Sequence, residues 1–206
     1  MAEFALSGVL GLYKKLNVFA ENQRQHLWEK QRDLVELFGK TVLIVGAGNV
    51  GTECAKRFSA MGCQVFGADL FPLQSEFFVR VAPMDELDAL LENSDIVILT
   101  LPLNEETKNL FTADRFANFK NGALLVNISR GAVVNTPDLV DALKHKLGGA
   151  VLDVFESEPL DADSPLWDMS NVILTPHNSF VGEGNNERLF HTITNSLSGD
   201  YYAKNY

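Results

Sequence analysis

Hydrophobic residues in this chain gather in short unbroken runs at 41–45, 64–68, 95–100, 123–127, 150–154 and 172–175. Runs of this length, rich in Val, Ile and Leu, predict strands buried on both faces. Between them the apolar residues return every three or four positions, at 50–61, 85–92, 112–119 and 136–146, which is helical spacing. A further short strand is expected around 79–81. Leu101-Pro102 ends one strand, Asn121-Gly122 turns the chain, and Gly148-Gly149 stops a helix. Thr112 is placed to cap one helix, and Thr136, followed by Pro137 and Asp138, to cap another. Strands alternating with helices predict a doubly wound parallel sheet of the α/β class, because each crossover lays a helix over a sheet face.

Both ends of the chain read as helices. Residues 2–28 have the pattern of one long helix, with Ala5, Val9, Leu12 and Leu16 on one stripe and Leu6, Leu10 and Tyr13 beside it. This apolar face is wider than one neighbour needs, so it serves either as core or in part as a contact with a second subunit. The second use predicts a homodimer through residues 2–28. No Ser, Thr, Asp or Asn precedes this helix as a cap, which suggests a chain that starts inside a larger design. Residues 29–39 form a polar connection, and 185–197 a closing amphipathic helix. The expected organisation is one domain over 1–206: a helical arm at 1–28, a nucleotide-binding core at 40–177, and a helix with a tail at 184–206.

Composition narrows the function classes. With 206 residues the chain can bury roughly 70% of its unfolded surface. Its two cysteines, Cys54 and Cys63, are too few for a disulfide framework and fit a reducing, cytoplasmic setting. Glu3, Lys14 and Lys15 interrupt the apolar start too early for a membrane span. A formal net charge of −10 argues against a nucleic-acid partner, which needs a basic field. No metal-ligand spacing stands out.

The chemistry starts at the first strand. Thr41–Val45 runs directly into Gly46-Ala-Gly-Asn-Val-Gly51, and the glycines open a helix. Gly46 permits a tight turn, Gly48 lets a pyrophosphate approach the backbone, and Gly51 lets helix and strand pack closely. By itself this pattern is equally well a chance glycine turn. The second strand, however, ends at Asp69, 18 residues beyond Gly51, near the distance at which an acid reaches the adenosine ribose. In a parallel sheet, ligands sit beyond the C-terminal strand ends. Those ends present Arg130, Glu158 and His177. A histidine exchanges a proton near neutral pH, a carboxylate beside it orients the ring and favours its charged form, and an arginine grips a carboxylate with two parallel hydrogen bonds. Singly, Arg130 could instead pair with a surface acid and Glu158 could be an ordinary loop residue. Together they fit a 2-hydroxy acid dehydrogenase.

Five stretches carry a family resemblance: Gly46 to Gly51, Leu101-Pro-Leu-Asn-Glu-Glu-Thr107, Asn127-Ile-Ser-Arg-Gly131, Leu152-Asp-Val-Phe-Glu-Ser-Glu-Pro159 and Thr175-Pro-His177. In order and spacing they resemble the D-isomer-specific 2-hydroxy acid dehydrogenases, the group that includes phosphoglycerate and glyoxylate/hydroxypyruvate reductases. The resemblance implies that Arg130 binds the carboxylate and carbonyl of a 2-oxo or 2-hydroxy acid, His177 is the acid/base and Glu158 its partner. Glu156 is the competing choice, rejected because the motif's acid lies five residues after Asp153. It further implies a nucleotide held by Gly46, Gly48, Asn49, Val50 and Gly51 at the pyrophosphate and by Asp69 at the ribose. Leu101, Pro102 and Thr107 fall on the adenine side, and Ile128, Ser129, Arg130, Asp153 and His177 on the nicotinamide side. No arginine follows Asp69 to receive a 2′-phosphate, so NAD is favoured over NADP. Two positions depart from the family: Thr100 stands where histidine is usual, and Asn135 where aspartate is. The family's substrate-binding domain has no counterpart here, so the chain is expected to bind NAD yet turn over poorly, or to act as a non-catalytic NAD-responsive module.

Overall fold

In the structure, a computed structural model, residues 1–197 are described. Seven strands form one sheet: β1 (Thr41–Val45), β2 (Gln64–Asp69), β3 (Arg80–Pro83), β4 (Ile96–Leu99), β5 (Leu124–Asn127), β6 (Gly149–Leu152) and β7 (Val172–Leu174). Their order is β3-β2-β1-β4-β5-β6-β7, and every pairing is parallel. This is the doubly wound α/β fold that the hydrophobic runs predict. The order reverses between β1 and β4, which opens a crevice beyond their C-terminal ends.

Alternation along each strand sorts the core into two layers. Leu43, Val45, Val97, Leu99 and Leu125 face one side, packed with Phe111, Phe116, Phe119 and Leu143. There they meet α4 (Leu87–Leu91), α5 (Ala113–Ala117) and α6 (Thr136–His145). Val42, Ile44, Ile96, Ile98 and Val126 face the other side. Over them lie α1 (Ala2–Tyr13) and α3 (Asn49–Ala60), through Ala5, Val9, Cys54, Ala55 and Phe58. Each fully buried aliphatic or aromatic side chain here contributes about 1.5–3 kcal/mol relative to exposure. Gly8 lets α1 approach the sheet, since a Cβ there would stand 2.5 Å from the Val151 side chain.

Two sequence expectations are corrected. Residues 2–28 are not one helix: α1 stops at Tyr13 and α2 (Leu16–Arg24) begins after Lys15, whose φ of 52° is left-handed. The break is fixed from outside the helix, by Lys14 Nζ donating to the Val35 carbonyl at 2.7 Å, Lys15 Nζ meeting Asp33 at 2.5 Å, and the Val35 amide donating to the Tyr13 carbonyl. Local periodicity carries no trace of contacts with a loop 20 residues ahead. α1 is core, while α2 has no buried residue. The second correction concerns α6, whose cap is Asn135: its side chain accepts the Asp138 amide at 3.1 Å. Thr136 is the first helical residue, and its amide and hydroxyl both go to Glu156. An amide caps as well as a carboxylate, which accounts for Asn135. The closing helix, α7 (Asn185–Leu197), is where the pattern places it; the expected tail lies outside the described residues.

Candidate active site

Because all seven strands run the same way, every segment that follows a strand emerges at one edge of the sheet. The glycine turn follows β1, Asp69 ends β2, Thr100 follows β4, Ile128 to Arg130 follow β5, Asp153 follows β6 and His177 lies just past β7. Register keeps them level, with Val45 opposite Leu99, Asn127 opposite Leu152, and Leu152 opposite Leu174.

The three glycines have three different reasons. Gly46 has φ +99°. A Cβ on Gly51 would lie 2.1 Å from the Gly46 carbonyl oxygen, so only glycine lets α3 start this close to the turn. A Cβ on Gly48 would meet nothing within 4 Å; this glycine faces open space, as a backbone that receives a ligand does. α3 begins at Asn49, and the amides of a helix's first turn have no partner within the helix. Such amides and the helix dipole suit a pyrophosphate. Asp69 closes the turn from the side: one carboxylate oxygen accepts the Ala47 amide at 2.6 Å, and the other accepts the Phe71 amide at 2.9 Å. Thr100 closes it from below, its hydroxyl donating to the Gly46 carbonyl at 2.6 Å. The residue that departs from the family pattern therefore fastens the glycine turn. The turn and helix start fit a dinucleotide.

Arg130, Glu158 and His177 meet in one cavity of about 300 Å³, lined also by Leu103 and Phe155. His177 Nδ1 lies 2.8 Å from Glu158 Oε2, and the other Glu158 oxygen accepts the Phe155 amide at 3.0 Å. Burial pushes the Glu158 carboxyl up, but the hydrogen bonds with His177 and Phe155 outweigh it and hold the group below the usual carboxylate range. Glu156, the rejected alternative, is occupied by Thr136 instead. Arg130 forms no ion pair among the described residues and donates one bond to its neighbour, the Ser129 carbonyl. Gly131 brings the two halves of the cavity together, because a Cβ there would fall 1.8 Å from the Phe155 carbonyl carbon. A histidine held by a carboxylate can move a proton, and an exposed guanidinium beside it can hold an anion.

Not every expected site residue has its side chain free for a ligand. Ile128 and Ser129 are buried, and the Ser129 hydroxyl donates to Asn127 Oδ1. Thr107 is spent inside its own loop, on the Pro102 carbonyl and the Asn104 amide. Leu101 packs against Gly46, and Pro102 is exposed at the crevice. Asp153 is 0% exposed, and its carboxylate accepts the Thr175 hydroxyl at 2.7 Å and the Asn178 and Ser179 amides at 2.8 Å. Burial pushes that carboxyl up, and these bonds together bring it below the ordinary range. The sequence reading passed over Thr175 and Ser179 as partners of Asp153; hydroxyl residues flanking a histidine at a strand end were the available signal.

Comparison with known proteins agrees with this geometry. The family described as D-isomer specific 2-hydroxyacid dehydrogenase, NAD binding domain, matches residues 6–179. The chain is 36% identical over 192 residues to the (S)-sulfolactate dehydrogenase of Chromohalobacter salexigens, covering 92% of this chain and 62% of that protein. To the glyoxylate reductase of Thermofilum pendens it is 37% identical over 184 residues, covering 86% of this chain and 54% of the relative. Among solved structures, a D-isomer specific 2-hydroxyacid dehydrogenase family protein from Aeromonas salmonicida superposes with a TM-score of 0.86 at 37% identity, over 97% of this chain and 65% of that one. A probable 2-hydroxyacid dehydrogenase from Rhizobium etli, in complex with NADP, gives 0.85 at 30% identity with the same coverage of 97% and 65%. The chain thus spans under two thirds of the length of these relatives. A match over residues 6–179, on a fold with the glycine turn at its switch point, places the chain in the D-isomer specific 2-hydroxyacid dehydrogenase family, of which it carries the NAD-binding domain.

Proposed function

We propose that residues 1–206 form one NAD-binding domain of an oxidoreductase acting on D-2-hydroxy acids and 2-oxo acids. The observation that carries this reading is the shared cavity of Arg130, Glu158 and His177, at the same sheet edge as the glycine turn. When bound, a nicotinamide dinucleotide supplies the hydride. Arg130 holds the substrate carboxylate through paired hydrogen bonds and fixes its orientation. His177 exchanges the proton of the substrate's C2 oxygen, and Glu158, at 2.8 Å, orients the imidazole and stabilises its charged form. Asn49 and Val50 cover the pyrophosphate from the start of α3, and Asp69 takes the adenosine ribose. The same Asp69 disfavours a 2′-phosphate by like-charge repulsion, so the reading is NAD rather than the NADP bound by the Rhizobium etli structure.

Dimerisation belongs to this proposal in a narrower form. α1 is consumed by the core, so the contact falls on α2 and the loop after it, where Leu16, Leu27 and Trp28 are 56%, 47% and 94% exposed. A cavity of about 770 Å³ runs between them, far from the His177 site. Sedimentation of the wild type against Trp28→Ala tests it: a monomer in both cases rejects the dimer.

The decisive experiment pairs an NADH titration with turnover on glyoxylate, hydroxypyruvate and pyruvate. Saturable NADH binding with turnover on any of them supports the enzyme. Binding without turnover favours a non-catalytic NAD-responsive module, a reading in keeping with the fraction of its relatives' length that the chain spans. Failure to bind NADH rejects both.

A further inference from the structure

The turn that carries His177 has an unusual backbone. His177 has φ +53°, left-handed, which a residue with a Cβ adopts at a cost and keeps only where its surroundings impose it. What imposes it here is one residue. The Asp153 carbonyl accepts the His177 amide at 2.8 Å. Its Oδ1 accepts the Thr175 hydroxyl and the Asn178 amide, and its Oδ2 accepts the Ser179 amide. Every residue from 175 to 179 therefore hangs from Asp153 except Pro176, which has no amide hydrogen to give.

Asp153 is itself pinned, because its own amide donates to the Asn127 carbonyl at 3.0 Å, at the end of β5. A carboxylate offers about four lone-pair positions, three of which are taken by the turn, and no part of the residue is exposed. It is thus poorly placed to serve a ligand directly and well placed to shape the turn. The three donors aimed at it also require an acceptor on both oxygens. An asparagine would set its own N–H groups against an amide or hydroxyl that is already donating.

We propose that Asp153 is a positioning residue, whose buried carboxylate locks turn 175–179 into the left-handed geometry at His177 that sets Nδ1 against Glu158. The inference rests on the acid/base reading of His177 given above and replaces the expected nicotinamide contact of Asp153 with an indirect role. The test is the ring proton on Nδ1 of His177 in protein labelled with ¹⁵N-histidine, assigned by its absence from His177→Gln. In the wild type this proton is hydrogen-bonded to Glu158, shifted downfield and slow to exchange with solvent. Asp153→Asn is expected to abolish the signal, and Thr175→Val, which removes one anchor, to speed its exchange about tenfold. Both variants should still unfold cooperatively and bind NADH with wild-type affinity. Should Asp153→Asn fail to fold, Thr175→Val decides alone. Persistence of the signal unchanged in the folded variants overturns the proposal, as does its absence from the wild type. Weakened NADH binding with an unaltered ring signal also overturns it, by making Asp153 a cofactor contact. A wild type that does not bind NADH would reject the proposed function, while the ring signal still judges Asp153.

Discussion

Nδ1 of His177 and Oε2 of Glu158 stand 2.8 Å apart, although 19 residues and the whole of β7 separate them in the chain. With Nδ1 taken by the carboxylate, Nε2 is the nitrogen left for a substrate oxygen. His177→Gln is expected to lower turnover by roughly 10²–10⁴-fold, the usual contribution of a positioned acid or base. Glu158→Gln should lower it less, because an amide still accepts from Nδ1 but carries no charge. Steady-state kinetics on any substrate turned over checks both, and a Glu158→Gln enzyme as fast as the wild type would show that the pair is idle.

Asp69 governs the choice of nucleotide. A 2′-phosphate about 4 Å from its carboxylate would be repelled by about 4 kcal/mol at surface-like screening, so NADH should bind at least about a hundredfold more tightly than NADPH. Asp69→Asn should narrow that gap. It should also weaken NADH binding somewhat, since Asp69 holds the Ala47 amide at 2.6 Å. Fluorescence titration with both nucleotides measures each effect.

Two glycines should tolerate no side chain, with different consequences. Gly51→Ala places a methyl 2.1 Å from the Gly46 carbonyl oxygen, and Gly131→Ala places one 1.8 Å from the Phe155 carbonyl carbon. Each should cost about 1–3 kcal/mol of stability, as overpacking does. The first should abolish NADH binding, whereas the second should spare it and impair turnover, because it pushes Arg130 away from Glu158. Thermal melts and NADH titration of the two variants separate these outcomes.

Acid should destabilise the site before the rest of the sheet. Asp153 and Glu158 both have folded-state carboxyls held below their ordinary values, after burial is outweighed by hydrogen bonds. The folded state therefore binds fewer protons than the unfolded chain across that window, and stability rises with pH through it. Their contribution is complete above the ordinary carboxylate range of about 4 and is lost as pH falls through the lowered values. Glu158, whose side chain is 36% exposed, contributes the smaller part. Urea midpoints between pH 7 and pH 3 should fall less steeply in Asp153→Asn than in the wild type.

The two cysteines should be inert. Burial pushes the Cys54 thiol up to about 12 and Cys63 up to about 11, and both are shielded by the core on the α3 side of the sheet. Since the thiolate is the reactive form, an aromatic disulfide reagent at pH 8 should titrate no thiol in the native protein and two after unfolding.

Much of this protein is written in local pattern. Unbroken Val, Ile and Leu runs are possible only where a strand is covered on both faces, so 41–45, 64–68 and 95–100 predicted a parallel sheet, and a parallel sheet puts all its ligand-binding ends on one edge. That reasoning brought Arg130, Glu158 and His177 together, and chose Glu158 over Glu156, before any coordinate was available. The rest depends on contacts between residues far apart in the chain. Lys14 and Lys15 end α1 by reaching Val35 and Asp33, a helix stop with no local sign. Asp153 looked like a ligand contact at a strand end, and only the folding back of β7 shows it buried beneath Thr175, Asn178 and Ser179. Periodicity reports which face of an element is wet; where a polar atom's hydrogen bonds go is decided by whichever distant segment the fold lays beside it.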